Sequence, residues 1–452
     1  MKLNSRWAVS WLVRLTLIFS ITVLITILFF YIPRGGKKYG SVRTNASVSI
    51  MQVNGQYNFF KDGKPFQVKG GAGFTYIKEL AGCGGNTITC WDTSKLDITL
   101  KEAAKYNVSV IIGLDIPGGE NTSYYENKKN ITALYQAYTL IVSRYKDHPS
   151  LLAWSLGNEL NFPFSLTATP FYKTYNRLLN MIQTKDFNHP VSTCVINIPK
   201  RIIMNLQWRV PALDFLCVNT YNGIKTLQKD LNAMMWVWKG PYLVSEWAPN
   251  GGWEAEATSW AAPIENTSTK KAEQYYELFT KYMPLDDPRF LGSLAFCWGS
   301  RQEYTYTWYS IFGEDGCPTE IKETLNDCWK DTLTKHIAPK LRYMLLDSLG
   351  SNDNIILKAG SIHNLSVLLE PAESASDLQY KWEILKEGWQ TWGQTWNYFK
   401  KPQVEPGLIK DSSLQITNFV APVKEGPYRV FVTVYNSKGH TATANTPIYV
   451  VK

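Results

Sequence analysis

The chain has 452 residues, of which 45% are hydrophobic, and it carries 17 Trp and 26 Tyr. This length predicts two or three domains, and the composition is sufficient for a large packed core. The formal net charge is +9, but the Lys and Arg residues are scattered and the five His residues are isolated. The charge pattern therefore argues against a nucleic-acid partner, and the His pattern predicts neither a metal site nor a cofactor.

The first predicted element is a transmembrane helix over residues 15–32, a stretch of 18 uncharged and mostly apolar residues. No small-x-small cleavage site follows it, so an uncleaved signal anchor is favoured over a signal peptide. Residues 1–14 are predicted to be a short cytosolic tail, and residues 33–50 a stalk. Basic residues flank both sides of the stretch, so the positive-inside rule does not give the orientation.

Glycosylation sequons favour an extracellular or lumenal body, because all of them follow the apolar stretch. They begin at Asn45, Asn107, Asn121, Asn130, Asn266 and Asn364. The sequence thus predicts a single-pass membrane glycoprotein.

Eight short apolar runs without polar alternation lie between residues 51 and 335, which indicates strands covered on both faces. The runs are residues 66–74, 85–91, 109–116, 151–159, 189–197, 213–221, 241–247 and 290–299. Amphipathic helical patterns lie between many of them. Alternating strands and helices in this number predict a (β/α)8 barrel. A doubly wound sheet is the alternative, but no Gly-rich phosphate loop follows the first run.

Residues 336–452 have a different texture, with β-branched and aromatic runs separated by turn residues. Val430, Val432 and Val434 alternate along one such run. This pattern predicts a small all-β sandwich. The same region contains a group of tryptophans that fits either a sugar-stacking platform or an edge packed on the barrel: Trp389, Trp392 and Trp396.

The seven cysteines fall into two groups. Cys194, Cys217 and Cys297 lie inside apolar runs and are predicted to be buried thiols. The remaining four are close together in sequence, in two pairs. For an oxidising compartment they predict two disulfides, Cys83–Cys90 and Cys317–Cys328.

Two carboxylates are predicted to meet at the mouth of the barrel. The segment "LLAWSLGNEL", residues 151–160, places Asn158 and Glu159 at the end of the fourth strand, and "VSEW" places Glu246 at the end of the seventh. Residues at the carboxyl ends of barrel strands face the active site. A pair of converging carboxylates, one protonated and one ionised, performs glycoside hydrolysis. Each carboxylate alone could also be a surface group or a salt-bridged strand end.

The motifs "WSLGNE" and "VSEW" resemble those of clan A glycoside hydrolases, especially the family 2-type catalytic barrels, and the resemblance spans about residues 55–330. Residues 336–452 are similar to the Ig-like or PKD-like module attached to such barrels. The resemblance implies that Glu159 is the acid/base and Glu246 the nucleophile. It further implies that Asn158 binds the sugar 2-hydroxyl, that Tyr221 orients Glu246 and that Trp298 forms the floor of a sugar subsite. Core packing is the alternative for Tyr221 and Trp298.

The second strand departs from the family pattern. Clan A barrels usually carry an Arg there that keeps the nucleophile ionised, whereas "GNTITCW" places Thr89 at that position. Arg301 and Lys69 are candidates for a replacement cation. The sequence predicts a membrane-anchored retaining β-glycosidase that acts on an oligo- or polysaccharide. A transglycosylase, a glycan-binding pseudoenzyme and a purely structural surface protein are the alternatives.

Overall fold

The computed structural model describes residues 11, 13–24, 46–370, 377–387 and 400–452. Of the N-terminal apolar stretch it shows a helix over residues 13–24, while residues 25–32, like most of the predicted tail and stalk, lie outside the described residues. Within the described ranges, no helix combines the length and the apolar character that a membrane span needs. The predicted transmembrane helix and the single-pass membrane location are therefore wrong.

A three-stranded antiparallel sheet precedes the barrel and was not predicted. It consists of β1 (Val48–Val53), β2 (Gln56–Lys61) and β3 (Lys64–Phe66). The amide of Val48 donates to the carbonyl of Asn188 at 3.1 Å, and the amide of Tyr57 to that of Pro288 at 2.7 Å. Both carbonyls precede barrel strands. The sheet therefore lies against the amino-terminal end of the barrel and leaves the carboxyl ends of the strands free.

The central sheet closes into a barrel. It is nine-stranded, with the order β8-β7-β6-β5-β4-β12-β11-β10-β9. The strands at the two ends of this order, β8 and β9, are separated in sequence by Thr193 alone. The fifth predicted run, residues 189–197, therefore contains both strands and connects the two edges of the sheet. The predicted (β/α)8 architecture fits this parallel sheet. The strands are β4 (Val68–Ala72), β5 (Thr87–Cys90), β6 (Ser109–Leu114), β7 (Leu151–Leu156), β8 (Val191–Ser192), β9 (Cys194–Ile196), β10 (Leu216–Thr220), β11 (Tyr242–Trp247) and β12 (Phe290–Phe296).

Helices lie between the strands and cover the sheet with apolar stripes at helical spacing. In the helix Thr169–Lys185, for example, Phe171, Tyr175, Leu178 and Ile182 are buried. The helix Lys200–Arg209 was not predicted. The helices are α1 (Ile77–Gly82), α2 (Leu96–Lys105), α3 (Thr122–Glu126), α4 (Lys128–Tyr145), α5 (Thr169–Lys185), α6 (Lys200–Arg209), α7 (Ile224–Ala233), α8 (Ser268–Glu277) and α9 (Glu320–Lys330).

Two small sheets follow the barrel, in the order β13-β15-β17 and β14-β19-β18-β16. They share one apolar cluster that includes Leu346, Trp382 and Val432. This agrees with the predicted small β sheets, while their Ig-like identity stays a prediction. The group Trp389, Trp392 and Trp396 lies outside the described residues. The strands are β13 (Leu341–Leu346), β14 (Ile356–Lys358), β15 (Ile362–Leu369), β16 (Leu378–Lys386), β17 (Ile416–Val420), β18 (Gly426–Asn436) and β19 (Thr441–Val451).

A buried polar cluster connects these sheets to the barrel. The guanidinium of Arg429, which is 1% exposed, donates to the carboxylate of Glu387 at 2.9 Å, to Asn445 Oδ1 at 2.7 Å and to the carbonyl of Pro263 at 2.7 Å. Asn445 in turn donates to Glu265 Oε2 at 2.6 Å. Buried charges require such partners because water no longer solvates them. The two parts of the chain are thereby joined by directional contacts.

All seven cysteines are free thiols. The predicted pairs Cys83–Cys90 and Cys317–Cys328 are therefore wrong. Cys90 instead lies in the core, with its Sγ 3.9 Å from Thr99 Oγ1, and Cys83 contacts the carbonyl of Lys322 at 4.0 Å. Proximity in sequence did not bring either pair together.

Candidate active site

The chain leaves β7 through two residues in the left-handed conformation, Gly157 (φ 82°) and Glu159 (φ 52°). A Cβ on Gly157 would lie 2.2 Å from Leu160 Cδ1, so only glycine fits. Positive φ is uncommon for Glu. The turn leaves Asn158 partly exposed and Glu159 exposed at the carboxyl end of the strand.

Glu246 is the penultimate residue of β11. The other residues of this strand are buried, whereas Glu246 is partly exposed. The hydroxyl of Tyr221, which directly follows β10, donates to Glu246 Oε2 at 3.0 Å. Two of the predicted site residues are therefore in direct contact, in the arrangement that the resemblance implies.

Asn219, in β10, links Glu159 to Ser245, the residue before Glu246, and was not predicted. It is fully buried, and its Nδ2 donates to Asn158 Oδ1 at 3.2 Å and to Glu159 Oε1 at 3.0 Å. Its Oδ1 accepts from Ser245 Oγ, next to Glu246, at 2.6 Å. The available signal was a polar residue within the apolar run "LDFLCVNTY". A buried amide needs partners, and these lie just after β7 and in β11, next to Glu246.

The environment of Glu246 favours its protonated form. Burial raises the pKa of the Glu246 carboxyl well above its ordinary value, and the like charge of Glu159 raises it further. The hydrogen bond from Tyr221 and the positive charge of Arg301 lower this pKa without cancelling the increase. The ionised form of Glu246 therefore depends on the few groups that stabilise its charge.

Arg301 and Glu303 add a further charge pair just after β12. Arg301 Nε lies 2.7 Å from Glu303 Oε2, and the guanidinium lies 5.5 Å from the centre of the Phe296 ring. Burial raises the pKa of Glu303, Arg301 lowers it, and the negative charge of Glu159 raises it. Arg301 was predicted from the sequence as a candidate cation, whereas Glu303 was not predicted.

Thr89 stands beside Glu246, at the position where the family pattern has an Arg. The two residues line a cavity of about 10 Å³ together with Trp91, Asn219 and Ser245. This is the lower limit of the space that one water molecule needs. Lys69, the other candidate cation, donates instead to the carbonyl of Trp329 at 2.6 Å. Of the two named cations, Arg301 is the one whose charge acts on Glu246.

Trp298 does not form an open platform. It is fully buried, its indole N–H donates to the carbonyl of Tyr76 at 3.2 Å, and its ring lies 5.2 Å from that of Phe312 and 5.6 Å from that of Trp329. The packing alternative fits this position better than the floor of a sugar subsite. The β12 aromatic that lies beside Tyr221 is Phe296, with ring centres 5.8 Å apart. The structure thus brings together Asn158, Glu159, Tyr221 and Glu246.

No group of three or more His, Cys, Asp or Glu residues suited to a metal ion occurs within the described ranges. The reactive groups described at this barrel mouth are the carboxylates of Glu159, Glu246 and Glu303, the guanidinium of Arg301 and the hydroxyl of Tyr221. This set can donate and accept protons and can supply an oxygen nucleophile.

Residues 101–254 match the family model described as "Glycosyl hydrolases family 2, TIM barrel domain". The chain carries a glycoside hydrolase domain. This match confirms the predicted enzyme class. Asn158, Glu159, Tyr221 and Glu246 all lie within the matched residues. The match does not extend to the C-terminal sheets.

Relatives in sequence are fungal proteins named mannan endo-1,4-beta-mannosidase F. The protein from Aspergillus clavatus is 33% identical over 114 residues, which are 22% of this chain and 26% of that protein. The protein from Aspergillus fumigatus is 39% identical over 77 residues, 17% of each chain. The chain therefore spans about a quarter or less of the length of these relatives.

Solved structures similar to this chain include an endo-beta-1,4-mannanase from Thermotoga petrophila. It has a TM-score of 0.43 and 12% identity, over 86% of this chain and 99% of that one. A beta-D-glucuronidase from Dictyoglomus thermophilum has a TM-score of 0.48 and 16% identity, over 63% of this chain and 54% of that one.

Proposed function

We propose that the chain is a retaining β-glycosidase that acts on a neutral β-linked glycan, with Glu246 as nucleophile and Glu159 as acid/base. The observation that carries this proposal is the placement of two carboxylates at one barrel mouth: the buried Asn219 donates to Glu159 and accepts from Ser245, which is next to Glu246, and the Tyr221 hydroxyl donates to Glu246. Two carboxylates at one barrel mouth are what the double-displacement mechanism requires.

In the first step Glu246 attacks the anomeric carbon while Glu159 gives its proton to the leaving oxygen, which forms a covalent glycosyl–enzyme ester. In the second step Glu159 takes a proton from the incoming water, whose oxygen displaces Glu246 from the anomeric carbon. Two inversions leave the configuration retained. A sugar hydroxyl in place of water would make the same site a transglycosylase. Asn158 is proposed to bind the 2-hydroxyl of the sugar.

A β-1,4-mannan is the first substrate to test, since the fungal relatives are named mannan endo-1,4-beta-mannosidases. The charges of the site support a neutral glycan. The negative charge of Glu159 repels those of Glu303 and Glu246. Arg301, the positive charge near them, is already paired with Glu303. A uronic acid would add a further negative charge to this group.

A glycan-binding pseudoenzyme is the second candidate. Thr89 replaces the Arg of the family pattern, and burial raises the pKa of the proposed nucleophile Glu246. Both observations oppose nucleophilic attack. They leave glycan binding at the same mouth unaffected.

The test is turnover of mannan and of aryl β-mannosides and β-glucosides by the wild type and by single alanine variants. Glu246→Ala should lose turnover by several orders of magnitude, and azide should restore it with an α-glycosyl azide as product. Glu159→Ala should retain the first step on dinitrophenyl glycosides, and azide should give the β-glycosyl azide. Glu273→Ala is the matched control, because this surface carboxylate has a side chain 62% exposed.

The opposite stereochemistry of the two azide products would show that the roles of Glu159 and Glu246 are exchanged. Wild-type turnover in both alanine variants would contradict the site assignment altogether. A wild type that binds glycans and hydrolyses none of the panel would favour the pseudoenzyme.

A further inference from the structure

The loop after β11 carries an exposed indole beside the carboxylate pair. Trp253 is 51% exposed, whereas the neighbouring Tyr221 is 8% exposed. Their ring centres lie 5.4 Å apart in an edge-to-face arrangement at 86°. Because the Tyr221 hydroxyl binds Glu246, the exposed indole lies one side chain away from the proposed nucleophile.

This loop is held by hydrogen bonds to its own residues and to the end of β10. The amides of Gly251 and Asn222 both donate to Glu254 Oε2, at 2.9 Å and 3.2 Å. The amide of Glu254 donates back to the carbonyl of Gly251 at 2.9 Å, and the indole N–H of Trp308 donates to the carbonyl of Asn250 at 3.2 Å. The position of the exposed ring is therefore fixed before any ligand arrives, which reduces the entropy cost of binding.

Two glycines make room for aromatic rings against this backbone. A Cβ on Gly251 would lie 2.5 Å from the Trp253 ring, and a Cβ on Gly252 would lie 2.6 Å from the Tyr304 ring. The Trp253 and Tyr304 rings are 6.2 Å apart. The "NGGW" sequence thus presents an aromatic wall, with Trp253 as its outermost ring.

An aromatic ring exposed next to several carboxylates suits one kind of ligand. Pyranose sugars have an apolar face of C–H groups that packs on an indole, and hydroxyl groups at their edge that bind carboxylates. A lone exposed tryptophan elsewhere on the surface would need no explanation. Trp253 differs because it adjoins the polar groups that would bind the same sugar ring.

We propose that Trp253 and the loop of residues 250–254 form the wall of a sugar subsite adjoining Glu246, which takes the apolar face of a neutral pyranose in a β-linked chain. This inference rests on the proposed function and adds a binding residue to it. It makes Trp253 a binding residue, with a role separate from the proton transfers of Glu159.

Binding is measured by calorimetry with 1,4-β-mannohexaose, cellohexaose and a galacturonic acid hexamer. Glu246→Gln serves as the parent, so that the oligosaccharides stay intact. Adding Trp253→Ala should weaken binding of the neutral hexamer about tenfold or more, and Trp253→Phe should keep most of the affinity. Trp236→Ala is the matched control. It removes an indole that is 49% exposed and that precedes β11, so it lies toward the other end of that strand.

A second measurement needs no variant of Trp253. Bound mannohexaose or cellohexaose should protect Trp253 of the full chain from oxidation by N-bromosuccinimide, as read by peptide mapping, and should not protect Trp236. Equal affinity with and without Trp253, or no protection, overturns the inference, as does the absence of binding to both neutral hexamers. Binding that depends on Trp253 in a chain without hydrolysis would support the inference and contradict the proposed glycosidase.

Discussion

Replacing Tyr221 by Phe tests how the site keeps Glu246, its proposed nucleophile, ionised. The substitution removes one hydroxyl, which donates to Glu246 Oε2 at 3.0 Å, and keeps the ring that packs between Trp253 and Phe296. Because this hydrogen bond lowers the pKa of Glu246, its loss raises the pKa further. The nucleophile must be ionised, so activity is lost as the pH falls through this pKa.

The size of the effect follows from the kind of hydrogen bond. A hydrogen bond to a charged group contributes about 1.5–3 kcal/mol. At pH values on the acidic limb, Tyr221→Phe should therefore lower kcat/KM about tenfold to a hundredfold. At pH values well above the acidic limb, most Glu246 is ionised in both the wild type and the variant. The difference in kcat/KM between them should therefore become smaller.

The assay is the pH profile of kcat/KM on an aryl β-glycoside, whose acidic limb reports the free enzyme. Tyr175→Phe is the matched control, because its hydroxyl is equally buried and donates to the carbonyl of Leu156 at 3.0 Å, not to a carboxylate. The control should lose stability without moving the limb. An acidic limb that stays in place or moves to lower pH in Tyr221→Phe would refute the reasoning.

Three further variants test the charges of the fold by thermal or urea unfolding. Glu246→Gln should be more stable than the wild type at neutral pH, and the gain should vanish in acid, because the raised pKa means that folding penalises the ionised carboxyl. The hydrogen bond with Glu320 raises the pKa of His336 above its ordinary value of 6.5, so the stabilisation from the charged imidazole is present below that value and is lost as the pH rises through the raised pKa. His336→Gln should therefore remove this loss of stability with rising pH. Arg429→Met leaves the Glu387 carboxylate buried without its partner and should lower the free energy of unfolding by about 3–5 kcal/mol. Adding Glu387→Gln should recover part of that loss.

The barrel could be predicted because each strand repeats the same pattern. Runs such as residues 109–116 and 151–159 are apolar on both faces, and the strands β6 and β7 lie within them. The N-terminal sheet escaped prediction, since its short strands were assigned to a stalk and to the start of the barrel. The transmembrane helix over residues 15–32 was predicted from hydropathy alone, and no helix within the described ranges has the length and apolar character of a membrane span.

The candidate site was predictable where a residue ends a strand, as for Glu159 and Glu246. Asn219 was not, because its role depends on strand neighbours: its partner Asn158 lies just after the end of β7, and its partner Ser245 lies next to Glu246 in β11. The order of strands around the barrel is needed to see that contact. The same holds for Trp298, whose burial against Trp329 results from packing that no local pattern encodes.

The surroundings of Thr89 determine whether an Arg, as in the family pattern, can be introduced at this position. The space next to Thr89 is a cavity of about 10 Å³, closed on one side by Trp91. Trp91 in turn lies directly on Gly113, where a Cβ would come within 2.0 Å of its ring. An Arg side chain cannot enter without displacing that indole.

Thr89→Arg alone should therefore destabilise the fold, by about 1–3 kcal/mol or more for an overpacked core position, and should not raise activity. Thr89→Arg combined with Trp91→Ala opens the space that the guanidinium needs. If the cation is what Glu246 lacks, this double variant should move the acidic limb of kcat/KM to lower pH, whereas Trp91→Ala alone should not. A stable, more active Thr89→Arg single variant would refute the packing argument. An unmoved limb in a folded double variant would show instead that Arg301 and Tyr221 already supply the stabilisation that the family pattern assigns to the second strand.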